Sequence, residues 1–129
     1  MHIVLIDTVD PVLEERLSAA GHTCSDRHTL ANDELPEGLA DAEAIVVRSR
    51  KLPASLLSGL PSLRLIGRVG SGLENIDTAF CAEKGITVLN APEGNRDGVG
   101  EMAIAHLLML LKHIRRADRQ VRNGRWLRE

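Results

Sequence analysis

Leu63-Arg64-Leu65-Ile66-Gly67-Arg68-Val69, then Gly70-Ser71-Gly72, then Ile76 to Lys84 closed by Gly85, then Ile86-Thr87-Val88-Leu89: this stretch decides the fold. An apolar run, a turn of small residues, a helix-length segment with glycine after its last turn and a β-branched run make one strand–helix–strand unit. Two strands joined through a helix lie parallel, and a right-handed crossover places the helix on the sheet.

The same alternation extends upstream. Ile3-Val4-Leu5-Ile6 reads as a buried strand ending at Asp7. Val12 to Ala20 carries Val12, Leu13, Leu17 and Ala20 at helical spacing, with Pro11 in the first turn and Gly21 after the end. His22-Thr23-Cys24 reads as a short second strand. Residues 26–41 are polar, with a helical turn between Asp33 and Leu39. Ala44-Ile45-Val46-Val47 is a third strand, and Pro53 to Leu60 a short helix. Five strands separated by helices predict an α/β fold: a flavodoxin-like, doubly wound, parallel five-stranded sheet with a long C-terminal helix. Ligands of such sheets sit at the carboxyl ends of the strands. Those ends are Asp7, Arg48-Ser49, Gly70-Ser71-Gly72 and Asn90-Ala91-Pro92.

Composition narrows the function classes. The 129 residues suit one domain, and 43% hydrophobic content excludes wholesale disorder. No apolar run reaches the roughly 18 residues of a membrane span. The first residues, Met1-His2-Ile3-Val4, lack the basic region of a signal peptide. Cys24 and Cys81 form no CxxC pair, which points to a reducing compartment, the cytoplasm, and to no metal framework. Residues 112–129 hold seven basic and two acidic residues, a net of +5, while residues 1–111 carry −7. A basic tail alone suggests nucleic acid, but the acidic body repels a phosphate backbone, so no nucleic-acid partner is expected.

The last helix is unusual. Asp97 or Gly98 suits its cap, with Glu101 placed as in a capping box, and the helical pattern runs to about Arg122. Between Met102 and Leu111 only His106 is polar, so the apolar surface runs all round. A helix of that kind needs cover on every side, from another domain or subunit. Lys112 to Arg122 is amphipathic, and Trp126 and Leu127 need docking to be hidden.

Gly70-Ser71-Gly72 invites a dinucleotide fingerprint, but Asn75 stands where glycine or alanine belongs, and the next strand ends at Asn90, not at an acid. The loop suits a small acid instead. Glycines let backbone N–H groups approach an anion, Ser71 offers a hydroxyl, and the Arg48 guanidinium matches a carboxylate or phosphate. Asn75 reads as a cap or as a brace for the loop. A phosphate-accepting receiver domain shares the layout, but it needs an acid where Arg48-Ser49 stands.

Val47-Arg48-Ser49, Gly67 through Asp77, Lys84-Gly85-Ile86, Asn90-Ala91-Pro92, Asn95, Glu101 and Asn123-Gly124-Arg125-Trp126 occur in an order that resembles the D-2-hydroxyacid dehydrogenases, and in particular their D-3-phosphoglycerate dehydrogenase branch. The resemblance implies a two-domain, NAD-dependent oxidoreductase, usually a dimer. Residues 1–97 then correspond to the N-terminal part of the substrate (catalytic) domain. Residues 98–129 correspond to a crossover and interface helix leading to an NAD-binding domain, with the homodimer contact at residues 98–122. It further implies that Arg48, Ser49, Val69 and Asn75 serve a small carboxylate substrate, that the amides of Gly70, Ser71 and Gly72 hold its carboxylate, and that Ser71 touches the cofactor. Asn95 and Glu101 are expected near the cleft between the domains.

The nucleotide fingerprint and the catalytic Arg, Glu and His lie beyond Glu129 in that family. His2, His22, His28, His106 and His113 match no motif position. No catalytic residue and no metal ligand is therefore expected in this chain, and it is expected to be inactive alone and to hold NAD only weakly. The alternative is a stand-alone small-acid-binding or dimerisation module without catalysis.

Overall fold

The structure, a computed structural model, describes residues 1–126. Leu127 to Glu129, including the expected docking of Leu127, lie outside the described residues. Two compact units divide the chain, residues 1–94 and the segment from Asn95 onward.

The first unit is the predicted α/β sheet. Its strands are β1 (His2–Leu5), β2 (Thr23–Asp26), β3 (Ala44–Val47), β4 (Leu65–Arg68) and β5 (Thr87–Asn90). All pair in parallel in the order β2-β1-β3-β4-β5. The helices are α1 (Pro11–Ala19), α2 (Leu35–Gly38), α3 (Ala54–Leu57) and α4 (Thr78–Lys84). Strand periodicity sorts the core. Val4, Ile6, Ile45, Val47 and Ile66 share one face with Leu35, Leu39, Leu52, Leu57 and Cys81. Ile3, Leu5, Ala44 and Val46 share the other with Leu13 and Leu17 of α1.

Local chemistry sets the helix ends. The Asp10 side chain accepts from the Val12 amide (3.0 Å), and Pro11 opens α1. Asp77, not Asn75, caps α4, accepting from the Phe80 amide (3.0 Å), and Gly85 closes it in the left-handed conformation (φ 70°). α3 is shorter than the expected 53–60 helix, because the chain turns at Ser58-Gly59. β2 starts one residue later than expected and runs on to Asp26, where its pairing with Leu5 ends.

The second unit corrects the sequence reading twice. A 3₁₀ turn, Pro92–Asn95, leads into α5 (Arg96–Leu111), so the helix starts before Asp97 and Gly98, and neither caps it. Asn95 holds the cap position without a side-chain bond. The expected single helix to Arg122 is broken at His113, whose φ of 52° is left-handed, and α6 (Ile114–Arg122) begins there. The break carries no glycine or proline, so the sequence pattern ran through it. Val99, Met102, Ile104, Leu107, Leu108, Leu110 and Leu111 are all exposed. No helix among the described residues is long and apolar enough to cross a membrane.

Candidate functional site

The site is built at the carboxyl ends of β1, β3, β4 and β5, where the sheet ladder stops and the backbone must find other partners. The last rungs are Ile6 N–H to the Val46 carbonyl (3.1 Å) and Val69 N–H to the Val47 carbonyl (2.8 Å). Past them, Oδ2 of Asp7 accepts three consecutive amides, Arg48 (2.7 Å), Ser49 (2.7 Å) and Arg50 (3.1 Å). Arg50 lies against the same carboxylate, Nε to Oδ1 3.9 Å, and its Nη2 donates to the His28 carbonyl (2.7 Å). Burial works against the Asp7 charge, but the three amides and the Arg50 guanidinium outweigh it and hold the carboxyl below its ordinary range. Arg48 and Ser49 stay exposed, and the Arg48 guanidinium meets no acceptor among the described residues.

The glycine loop follows β4. Gly70 has φ 150°, and its N–H turns back to the Arg68 carbonyl (3.0 Å). That amide is therefore spent inside the chain, whereas those of Ser71 and Gly72 donate to nothing among the described residues. The loop is held by Asn90, whose Nδ2 donates to the Ser71 carbonyl (2.7 Å), and by the Ala91 amide on the Gly70 carbonyl (2.9 Å). Asn75 braces a different segment than expected. Its Nδ2 donates to the Arg50 carbonyl (2.8 Å), and the Leu52 amide donates to the Asn75 carbonyl (2.7 Å). Asn75 thus ties the loop after β4 to the segment after β3.

The sheet accordingly brings Arg48-Ser49 beside Val69 to Gly72, since Val47 pairs with Arg68 in register. Asp7, Arg50 and Asn90 were not singled out as site residues by the sequence. Asp7 and Asn90 stand at strand ends, which is the signal they share with Arg48. Arg50 carried none. Ser49 also borders an open cleft of about 600 Å³, together with Asn32, Arg50, Lys51 and Ser55.

The same geometry tests a nucleotide. A dinucleotide cradle needs a glycine turn that enters a helix directly. Here α4 begins only at Thr78, behind the Asp77 cap, and β5 ends in Asn90 with no acid for a ribose. The described residues therefore form no dinucleotide cradle. Among the described residues no cluster of His, Cys, Asp or Glu suits a metal ion.

The catalytic-domain profile of the D-isomer specific 2-hydroxyacid dehydrogenases matches residues 3–122. The chain belongs to this family. Solved structures similar to the chain include oxidoreductases with bound NAD or NADP. Among curated relatives, D-3-phosphoglycerate dehydrogenase of Sus scrofa is 30% identical over 128 residues, which cover 98% of this chain and 24% of the relative. D-3-phosphoglycerate dehydrogenase of Archaeoglobus fulgidus is 41% identical over 101 residues, 78% of this chain and 19% of the relative. Of solved structures, the NAD⁺-bound 3-phosphoglycerate dehydrogenase of Entamoeba histolytica superposes with a TM-score of 0.69 at 29% identity, over 84% of this chain and 38% of that one. The chain spans about a quarter of the length of the curated relatives it matches.

Proposed function

We propose that this chain is the substrate-binding part of an NAD-dependent oxidoreductase acting on the CH–OH group of a D-2-hydroxy acid, of the phosphoglycerate dehydrogenase kind. One observation carries the reading. The free amides of Ser71 and Gly72 stand on the strand end next to the free guanidinium of Arg48. Two N–H donors and a bidentate cation are the chemistry of a carboxylate site. Ser49 and Val69 border the acid, and the Gly70 turn and the Asn75 bridge hold the two loops in place. The exposed Lys51 beside Ser49 suits a second acidic group on the substrate, as in a phosphoglycerate. The names of the relatives point the same way.

The described residues form no cradle for NAD; in this reading the cofactor is held by a nucleotide domain, with Ser71 as the residue on this side that faces it. Residues 1–97 form the N-terminal part of the substrate domain, and 98–129 the crossover towards that nucleotide domain. The exposed apolar residues of α5 support a homodimer contact within 98–122. Cysteine usage supports a cytoplasmic location.

The test mixes the pure chain with D-3-phosphoglycerate and NAD⁺. The acid binds, Arg48→Ala weakens it about tenfold or more, and no reduced nicotinamide forms. Absence of binding overturns the substrate assignment. Turnover by the chain alone overturns the claim that it is the binding part only.

A further inference from the structure

We propose that Asp7 is a positioning residue: its carboxylate clamps the backbone of residues 48–50 and so fixes where Arg48 and Ser49 meet the substrate. The inference rests on the proposed function, which makes those two side chains substrate contacts. Three consecutive N–H groups that converge on one oxygen, at 2.7, 2.7 and 3.1 Å, require the chain to curve around that oxygen. The curve begins where β3 loses its ladder partners, so no sheet bond sets its path. The far end of the segment is pinned as well. The Arg50 carbonyl accepts from Asn75, and the Arg50 guanidinium spans Asp7 and the His28 carbonyl. Bending the backbone inward in this way leaves Arg48 and Ser49 exposed at the outer side of the turn.

A neutral acceptor does less. Hydrogen bonds to an ionised oxygen are roughly twice as strong as neutral ones, and a neutral amide oxygen holds three donors poorly. The charged groups facing Asp7 are Arg50 from the segment after β3, Asp26 and His28 from the end of β2, and Asp10 and Glu14 from the start of α1. His28 is engaged with Asp26 through Nδ1 and Oδ1 (2.7 Å).

The experiment follows the amide signals of the nitrogen-15-labelled chain. From neutral pH into the acid range below 3.8, the amides of Arg48, Ser49 and Arg50 move together along one curve in the unaltered protein. They stay flat in Asp7→Asn. Independent movement of the three amides, or the same movement in Asp7→Asn, overturns the clamp. D-3-phosphoglycerate is then added at neutral pH. Asp7→Asn binds about tenfold more weakly as read at Arg48 and Ser49, while Ser71 and Gly72 still respond and the core methyl signals are unchanged. Equal affinity in the variant overturns the positioning role. If the unaltered chain gives no response at either loop, the proposed function fails, and the pH arm alone decides the clamp. If Asp7→Asn does not fold, the acid titration of the unaltered chain decides it.

Discussion

Gly70→Ala separates a turn that requires glycine from one that merely contains it. Gly70 has φ 150°, and a Cβ there falls 1.3 Å from Arg68 Nη1 and 2.6 Å from Cζ. A residue forced into such backbone space costs about 1–3 kcal/mol. The Arg68 guanidinium must also leave its place. Its ion pair with Glu74, at 3.9 Å and largely exposed on the glutamate side, adds at most a few tenths of a kcal/mol. Displacing a half-buried arginine adds ~1 kcal/mol through lost packing, so the total is about 2–4 kcal/mol. For a unit of 94 residues that lowers the melting temperature by roughly 8–30 °C. Gly67→Ala is the control, since its nearest neighbour is 3.9 Å away. It is neutral or slightly stabilising, by less than ~1 kcal/mol. Arg68→Ala combined with Gly70→Ala removes the clash and keeps the backbone strain, so at least ~1 kcal/mol of the Gly70 cost survives in that background. Denaturant unfolding followed by circular dichroism reads all four proteins. Equal stability of Gly70→Ala and Gly67→Ala would refute the reasoning.

The exposed apolar residues of α5 predict self-association and binding of a hydrophobic dye, and Leu108→Glu reduces both in sedimentation and fluorescence. Asp77→Ala removes the cap of α4 and costs about 0.5–2 kcal/mol in thermal unfolding. Asp7 and Asp26 are both held below their ordinary 3.8 in the folded chain. Their stabilisation is therefore full above that value and lost as pH falls through the lowered folded values, so acid unfolding is shallower in Asp7→Asn than in the unaltered chain. Burial, with the nearby Asp77 charge, pushes the Cys81 thiol up, so a thiol reagent labels Cys24 rapidly and Cys81 only on unfolding.

The sheet was legible because β1, β3, β4 and β5 carry apolar runs punctuated by Pro11, Gly21, Pro53 and Gly85, and parallel order follows from the helices between them. β3 shows this most clearly, being buried along its whole length and predicted to the residue. The break at His113 was not legible, because a left-handed histidine leaves no pattern when apolar and basic residues continue at helical spacing on both sides. At the candidate site, strand-end logic pointed to Arg48, Ser49 and the glycine loop, which the register of β3 and β4 brings side by side. It missed the Asp7 clamp because three amides on one carboxylate link positions more than forty residues apart. Asn75 was given the right task and the wrong partner. Its register with Leu52 depends on an isolated parallel bridge between Leu52 and Ile76 that no local pattern announces.

The central claim is that the ends of β3 and β4 form one surface for a 2-hydroxy acid. A co-crystal structure with D-3-phosphoglycerate tests it most directly. The carboxylate is expected against the Ser71 and Gly72 amides, with the Arg48 guanidinium turned towards the acid. An acid seated away from both strand ends, or hydrogen-bonded to neither loop, would contradict it.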